Sequence, residues 1–150
     1  MSTPGNQVDG MLGMARILIV EDNDAMRVFM AQALARIGHD VDTAPDAESA
    51  EVILTANAVD LLLADIELPG ENGVELERRA VRRHPELRVM FVTGFAEMAA
   101  RAADLLAKKT RILSKPFGLL DLTTHVSAML KGVAPSPGGE AANQVEPTQA

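Results

Sequence analysis

With 150 residues, 47% of them hydrophobic, the chain has enough apolar material for one domain with a buried core. It has no cysteine, which excludes disulfides, thiolate metal sites and cysteine nucleophiles. A formal net charge of -7 argues against general affinity for nucleic acid or an anionic membrane, and no Trp or Tyr is present to stack on bases.

Residues 1–13 are Gly-rich and polar, without the basic start and apolar block of a signal peptide, and are expected to be disordered. No apolar run is long enough to span a bilayer, so a cytoplasmic location is expected. Ala15 to Val20 reads as a buried strand running into Glu21-Asp22-Asn23-Asp24. A helix follows, with Asp24 as its expected cap and Met26, Phe29, Met30, Ala33, Leu34 and Ile37 at helical spacing, closed by Gly38. His39 to Thr43 alternates in polarity, as a strand near a sheet edge does. Pro45-Asp46 opens a second helix, to about Ala56.

Val59 to Asp65 is an apolar run of strand length that ends in a lone carboxylate. Leu68-Pro69-Gly70-Glu71-Asn72-Gly73 then reads as a tight loop in which Pro fixes φ and each Gly permits φ > 0. A third helix is predicted over Val74 to Arg83, stopping before Pro85. A fourth strand, Arg88 to Val92, leads into Thr93-Gly94. An Ala-rich fourth helix over 96–107, a fifth strand at Arg111 to Leu113 ending in Ser114-Lys115-Pro116, and a last helix from about Leu119 to Leu130 complete the pattern. Residues 132–150, rich in Pro, Gly and small polar residues, are expected to be a disordered tail, leaving a domain at 14–131.

Five strand-then-helix units define an α/β fold, a (βα)5 doubly wound parallel sheet with helices on both faces. The C-terminal ends of parallel strands share one edge, where such sheets bind ligands. Glu21, Asp22, Asp65, Thr93 and Lys115 all fall at that edge. Carboxylates held close repel one another unless a cation sits among them, and an all-oxygen set suits Mg2+. A carboxylate beside Mg2+ and an ammonium is placed to attack a phosphoryl group, with Lys115 and Thr93 neutralising or donating to its oxygens.

Val20-Glu21-Asp22-Asn23, Asp65 before Leu68-Pro69, Gly73, Thr93-Gly94 and Lys115-Pro116-Phe117 resemble the receiver domain of bacterial two-component response regulators. The resemblance implies a flavodoxin-like sheet of order 2-1-3-4-5. It implies Asp65 as phosphoacceptor, and Mg2+ held by Asp22, Asp65 and the Glu67 backbone carbonyl, with Glu21 acting through water. Thr93 and Lys115 would hold the phosphoryl oxygens, the Lys115–Pro116 bond would be cis, and the donor would be a phosphohistidine on a histidine kinase or histidine phosphotransfer protein. On this reading the chain is no enzyme beyond its own phosphoryl transfer and hydrolysis.

Two positions depart from that pattern. Ile112 stands where receivers often carry a switch aromatic, and Glu67 puts a carboxylate two residues after Asp65, where it is expected to alter the lifetime of the phosphoryl-aspartate. No DNA-binding domain fits into residues 132–150, and Arg78, Arg79, Arg82 and Arg83 read as a solvated helix face. The expected output is protein contact through the fourth helix, with Phe95 and Met98, beside the 110–113 strand. Within the family, the 14–23, 91–95 and 114–117 blocks are similar to CpdR-type receivers, which implies an adaptor for a AAA+ protease; a relay shuttle or phosphate sink is the alternative. From another class, Asp22-Asn23-Asp24 after a strand resembles the start of a haloacid-dehalogenase phosphohydrolase, but with Met26 where Thr or Val is expected.

Overall fold

The computed structural model describes residues 15–94 and 110–131. These hold β1 (Arg16–Val20), α1 (Asp24–Arg36), β2 (Asp40–Ala44), α2 (Ala47–Ala56), β3 (Leu61–Asp65), α3 (Gly73–Arg83), β4 (Arg88–Thr93), β5 (Thr110–Ser114) and α4 (Leu119–Leu130). The helix expected over 96–107, with Phe95 and Met98, lies outside the described residues, so the last helix takes the label α4.

All four strand pairings are parallel, and the sheet runs β2-β1-β3-β4-β5. This is the order 2-1-3-4-5. It places β1 and β3 side by side in the middle, with Leu18 opposite Leu62, and brings Asp65 level with Val92 and Thr93 level with Ser114.

The central strands are apolar throughout because both of their faces are covered. Successive side chains alternate between two cores. Leu18, Val20, Leu62, Ala64 and Phe91 pack toward α2 and α3, which contribute Ala47, Ala50, Leu54, Leu76 and Ala80. Ile17, Ile19, Leu61, Leu63, Met90 and Val92 pack toward α1 and α4, through Met30, Ala33, Leu34, Leu122 and Val126. Leu61, Leu62 and Leu63 are fully buried, each stabilising the fold by about 1.5–3 kcal/mol, so β3 is firmly seated before it delivers Asp65.

Several boundaries differ from the sequence reading. The cap of α1 is Asn23, whose side chain accepts from the Met26 amide at 2.8 Å, whereas Asp24 is the first helical residue and pairs with Arg27. One face of α1 is narrower than its apolar spacing implied. Phe29 is 36% exposed and meets Phe117, and Ile37 is 49% exposed. Residues 59 and 60 precede the ladder of β3: Val59 is buried, and the Asp60 carboxylate accepts from the Arg16 amide at 2.8 Å. Arg79 and Arg83 are not simply solvated. They pair with Glu51 of α2, and Arg79 also forms a two-pronged pair with Glu71 in the β3–α3 loop.

The two loop glycines do different work. Gly70 has φ +80, the left-handed conformation expected of it. Gly73 does not: it starts α3 in contact with the end of β3. A Cβ there would lie 2.3 Å from the Asp65 carbonyl oxygen, and its amide donates to Ile66 O at 2.7 Å. The neighbour is backbone at the tip of a buried strand, so it cannot yield cheaply. Gly73→Ala is expected to lower stability by about 1–3 kcal/mol in urea unfolding, the usual cost of overpacking; a wild-type midpoint would refute the close-approach role.

Candidate functional site

Four chain segments meet where the sheet's C-terminal edge opens. Glu21 follows β1 and is fully buried. Its amide extends the β1–β2 pairing by donating to Ala44 O at 3.1 Å. Asp22 comes next and is exposed. Asp65 ends β3 at 3% exposure, and Thr93, fully buried, ends β4. Lys115 follows β5, its amide donating to Thr93 O at 2.8 Å and its bond to Pro116 cis.

The side chains converge across long sequence separations. Lys115 Nζ donates to Asp65 Oδ2 at 2.8 Å and to Glu21 Oε1 at 3.2 Å. The remaining oxygens are held by backbone: the Glu67 amide donates to Asp65 Oδ1 at 2.9 Å, and the Asn23 amide to Glu21 Oε2 at 3.1 Å. Glu21, Asp22 and Asp65 each offer one oxygen within 4.8 Å of the others. Three carboxylates thus face one ammonium.

That imbalance perturbs the site. Burial, then the charge of Asp65, push the Glu21 carboxyl up, against the Asn23 amide and Lys115. Burial works to lower Lys115, but its bonds and attraction to Asp65 and Glu21 prevail and hold the ammonium above the ordinary lysine range. Glu67 is also pushed up, by burial first and then by Asp65 and Asp22, against Lys115. Its Oε2 is buried and has no hydrogen-bond partner among the described residues.

These observations fit a hard cation. The donors are all oxygen, negative charge is in excess, and a further carboxylate oxygen nearby lacks a partner. The other expected site residues are partly placed. Ile112, level with Phe91, packs half-buried against the core on the α2/α3 side. Phe95 and Met98 fall outside the described residues. The sequence reading missed Arg27, whose guanidinium reaches the Glu21 carbonyl at 2.8 Å; only its proximity to the acidic run hinted at a role.

A five-stranded parallel sheet with an acidic pocket and a lysine at its switch edge defines a doubly wound signalling fold of the receiver type. The response regulator receiver domain family matches residues 17–127, and the chain belongs to that family. It is 40% identical over 117 residues to the response regulator receiver protein CpdR of Brucella abortus, covering 78% of this chain and 98% of that protein. It is 35% identical over 121 residues to the sensor kinase CckA of Brucella abortus, covering 79% of this chain but 13% of that kinase. The crystal structure of response regulator TrrA from Thermotoga maritima, in complex with Mg2+-BeF, matches with a TM-score of 0.70 at 26% identity, covering 78% of this chain and 100% of that one.

Family membership sets aside the dehalogenase reading of Asp22-Asn23-Asp24. In the structure Asn23 is a helix cap and Asp24 is tied to Arg27, so neither faces a second catalytic group. Receivers are signalling domains that take a phosphoryl group from a kinase partner and bind Mg2+ in an acidic pocket. Among the described residues, no helix is long and apolar enough to cross a membrane.

If the excess negative charge is what the ion relieves, Asp22→Asn should stabilise the metal-free protein by on the order of 1 kcal/mol, an exposed partner's share, and raise its thermal midpoint accordingly. The variant should also lose most of the stabilisation that Mg2+ gives the wild type. Equal Mg2+-dependent shifts in both proteins would count against the assignment of Asp22.

Proposed function

We propose that this chain is a single-domain response regulator, phosphorylated on Asp65 by a phosphohistidine of a histidine kinase or histidine phosphotransfer protein. The observation that carries the reading is Lys115 Nζ bridging Asp65 and Glu21 at 2.8 and 3.2 Å, with Asp22 beside them. Coverage of 98% of CpdR supports the single-domain form, and likeness to the kinase CckA as well supports a place in a phosphorelay.

Asp22, Asp65 and the Glu67 carbonyl would hold Mg2+, with Glu21 acting through water. The bound ion supplies charge neutralisation for the pocket and for the transferred oxygens. TrrA, crystallised with Mg2+-BeF, supports that use of the pocket.

The chain's own groups do the rest. Asp65 Oδ2, the oxygen facing Lys115, attacks phosphorus. The P–N bond to the donor imidazole breaks, and the imidazole leaves with that electron pair. Lys115 follows the negative charge onto the phosphoryl oxygens, and the Thr93 hydroxyl donates to one of them. The Glu67 amide keeps Asp65 Oδ1 oriented throughout. Output is contact with a second protein in the cytoplasm, and likeness to CpdR favours adaptor action on a AAA+ protease over a relay shuttle.

Incubation with acetyl phosphate and Mg2+ is expected to give one hydroxylamine-labile adduct, mapped to Asp65 and absent in Asp65→Asn. An adduct elsewhere, or none, would end the proposal. Pull-down with and without beryllofluoride then separates the outputs. A AAA+ protease retained in only one state supports the adaptor, and a phosphotransfer protein alone supports the shuttle.

Glu67 sets a second test. Its carboxylate lies beside Asp65 with Oε2 buried and unpartnered among the described residues, where it competes for the water that hydrolyses the acyl phosphate. Glu67→Asn should change the dephosphorylation rate by roughly threefold or more, a modest shift for general acid–base or water-positioning groups. Equal rates would remove Glu67 from the account.

A further inference from the structure

We infer that Arg27 is a positioning residue for the acidic pocket, fixing the peptide that carries Asp22 and thereby setting metal affinity; this rests on the phosphoacceptor reading above. Arg27 lies on the second turn of α1, with its side chain 19% exposed. Nη1 donates to the Glu21 carbonyl at 2.8 Å, and Nη2 to Asp24 Oδ1 at 2.6 Å.

The contact matters because of what else holds Glu21. Its amide is bound to Ala44 O, and its two carboxylate oxygens are bound to Lys115 Nζ and the Asn23 amide. Arg27 takes the one polar group left, the carbonyl, which belongs to the Glu21–Asp22 peptide. Fixing that plane fixes where the Asp22 Cα starts.

Asp22 needs this help. It is exposed, and among the described residues nothing hydrogen-bonds its carboxylate, so its approach to Glu21 and Asp65 is set by the backbone. Asp24 in turn orients the guanidinium. A planar fork serves the two acceptors from two nitrogens held in fixed geometry, whereas a lysine would have to serve both from a single rotating nitrogen. Partners that orient ligands in this way commonly govern metal affinity by tenfold or more.

Arg27 touches neither the reacting atoms nor the ion, so its signature is a split between affinity and rate. In calorimetric titration with MgCl2, Arg27→Gln should weaken Mg2+ binding about tenfold, with Arg27→Lys in between. In acetyl phosphate labelling, the half-saturating Mg2+ concentration should rise by the same factor, while the plateau rate changes by less than about twofold. Arg83→Gln, which loosens a surface pair on α3, is the control: its midpoint falls and its Mg2+ constant stays at the wild-type value.

A wild-type Mg2+ constant in Arg27→Gln, with only the melting midpoint lowered, overturns the inference and leaves Arg27 a structural brace. A plateau rate that falls at unchanged Mg2+ affinity overturns it as well. If Arg27→Gln does not fold, Arg27→Lys and Asp24→Asn, which frees the second prong, carry the same comparison, and unchanged constants in both refute it. Absence of Mg2+-dependent labelling in the wild type would instead remove the functional reading, and this inference with it.

Discussion

One ammonium holds the pocket together. Lys115 Nζ lies between two buried carboxylates, 50 and 94 residues away in sequence. Neither Glu21 nor Asp65 could stay charged and dry without such a partner, since an unpaired buried carboxylate costs several kcal/mol. The pairing is possible only because β1, β3 and β5 are parallel and end at one edge. The sheet order places β3 in the middle and β5 two strands away, so the lysine must reach across the tip of β4. Its backbone is prepared for that by the bond from its amide to Thr93 O.

Around that pair the loops are held by backbone groups, with Arg27 and Arg79 as charged braces. The amides of Asn23 and Glu67 each take one carboxylate oxygen, and the Gly73 amide binds Ile66 O. Asn72, the α3 cap, accepts from the Glu75 amide, and Arg79 ties Glu71 in the same loop to Glu51 of α2. The charged side chains are therefore presented by turns braced through their main chain, while Glu67 Oε2 is left without a partner among the described residues. Two fully covered sheet faces underwrite this, because the apolar burial in the central strands far exceeds the repulsion among three carboxylates.

Much of this was legible because the strands announce themselves. Leu61-Leu62-Leu63-Ala64 has no polar residue to place on a wet face, so a two-sided core was the only burial that suited it, and Asp65 had to fall at its tip. The same logic located Glu21, Thr93 and Lys115. The misreadings are local choices between near-equivalents. Asn23 and Asp24 both cap helices well, and the amide won because Asp24 is drawn to Arg27. Gly73 looked like a turn residue, but the requirement is space against Asp65 O, which depends on how α3 leaves the strand. Phe29 fits the helical stripe, yet the stripe is wider than the sheet face it covers. Arg27 carried no motif at all, because a side chain that binds a carbonyl leaves no trace in residue pattern.

The charge balance of the pocket also ties occupancy to stability. Three carboxylates and one ammonium leave an excess of negative charge in the folded state that the unfolded chain, dispersed in water, does not feel. A cation bound there is bound by the folded form alone, so its affinity adds to folding stability. A phosphoryl group on Asp65 would reverse part of that gain by adding negative charge at the same point. Lys115 is then the group with most to redistribute, since its two present partners can release it only if something else neutralises them. Its movement would be felt at Thr93 through the main-chain bond between them, and across the β4–β5 ladder at Ile112, which packs in the core beside Phe91. An aliphatic side chain at Ile112 has no ring to swing and no hydroxyl to anchor. In this chain a signal leaving the pocket along β5 would have to travel by packing and main-chain shift, with no aromatic ring at position 112 to rotate.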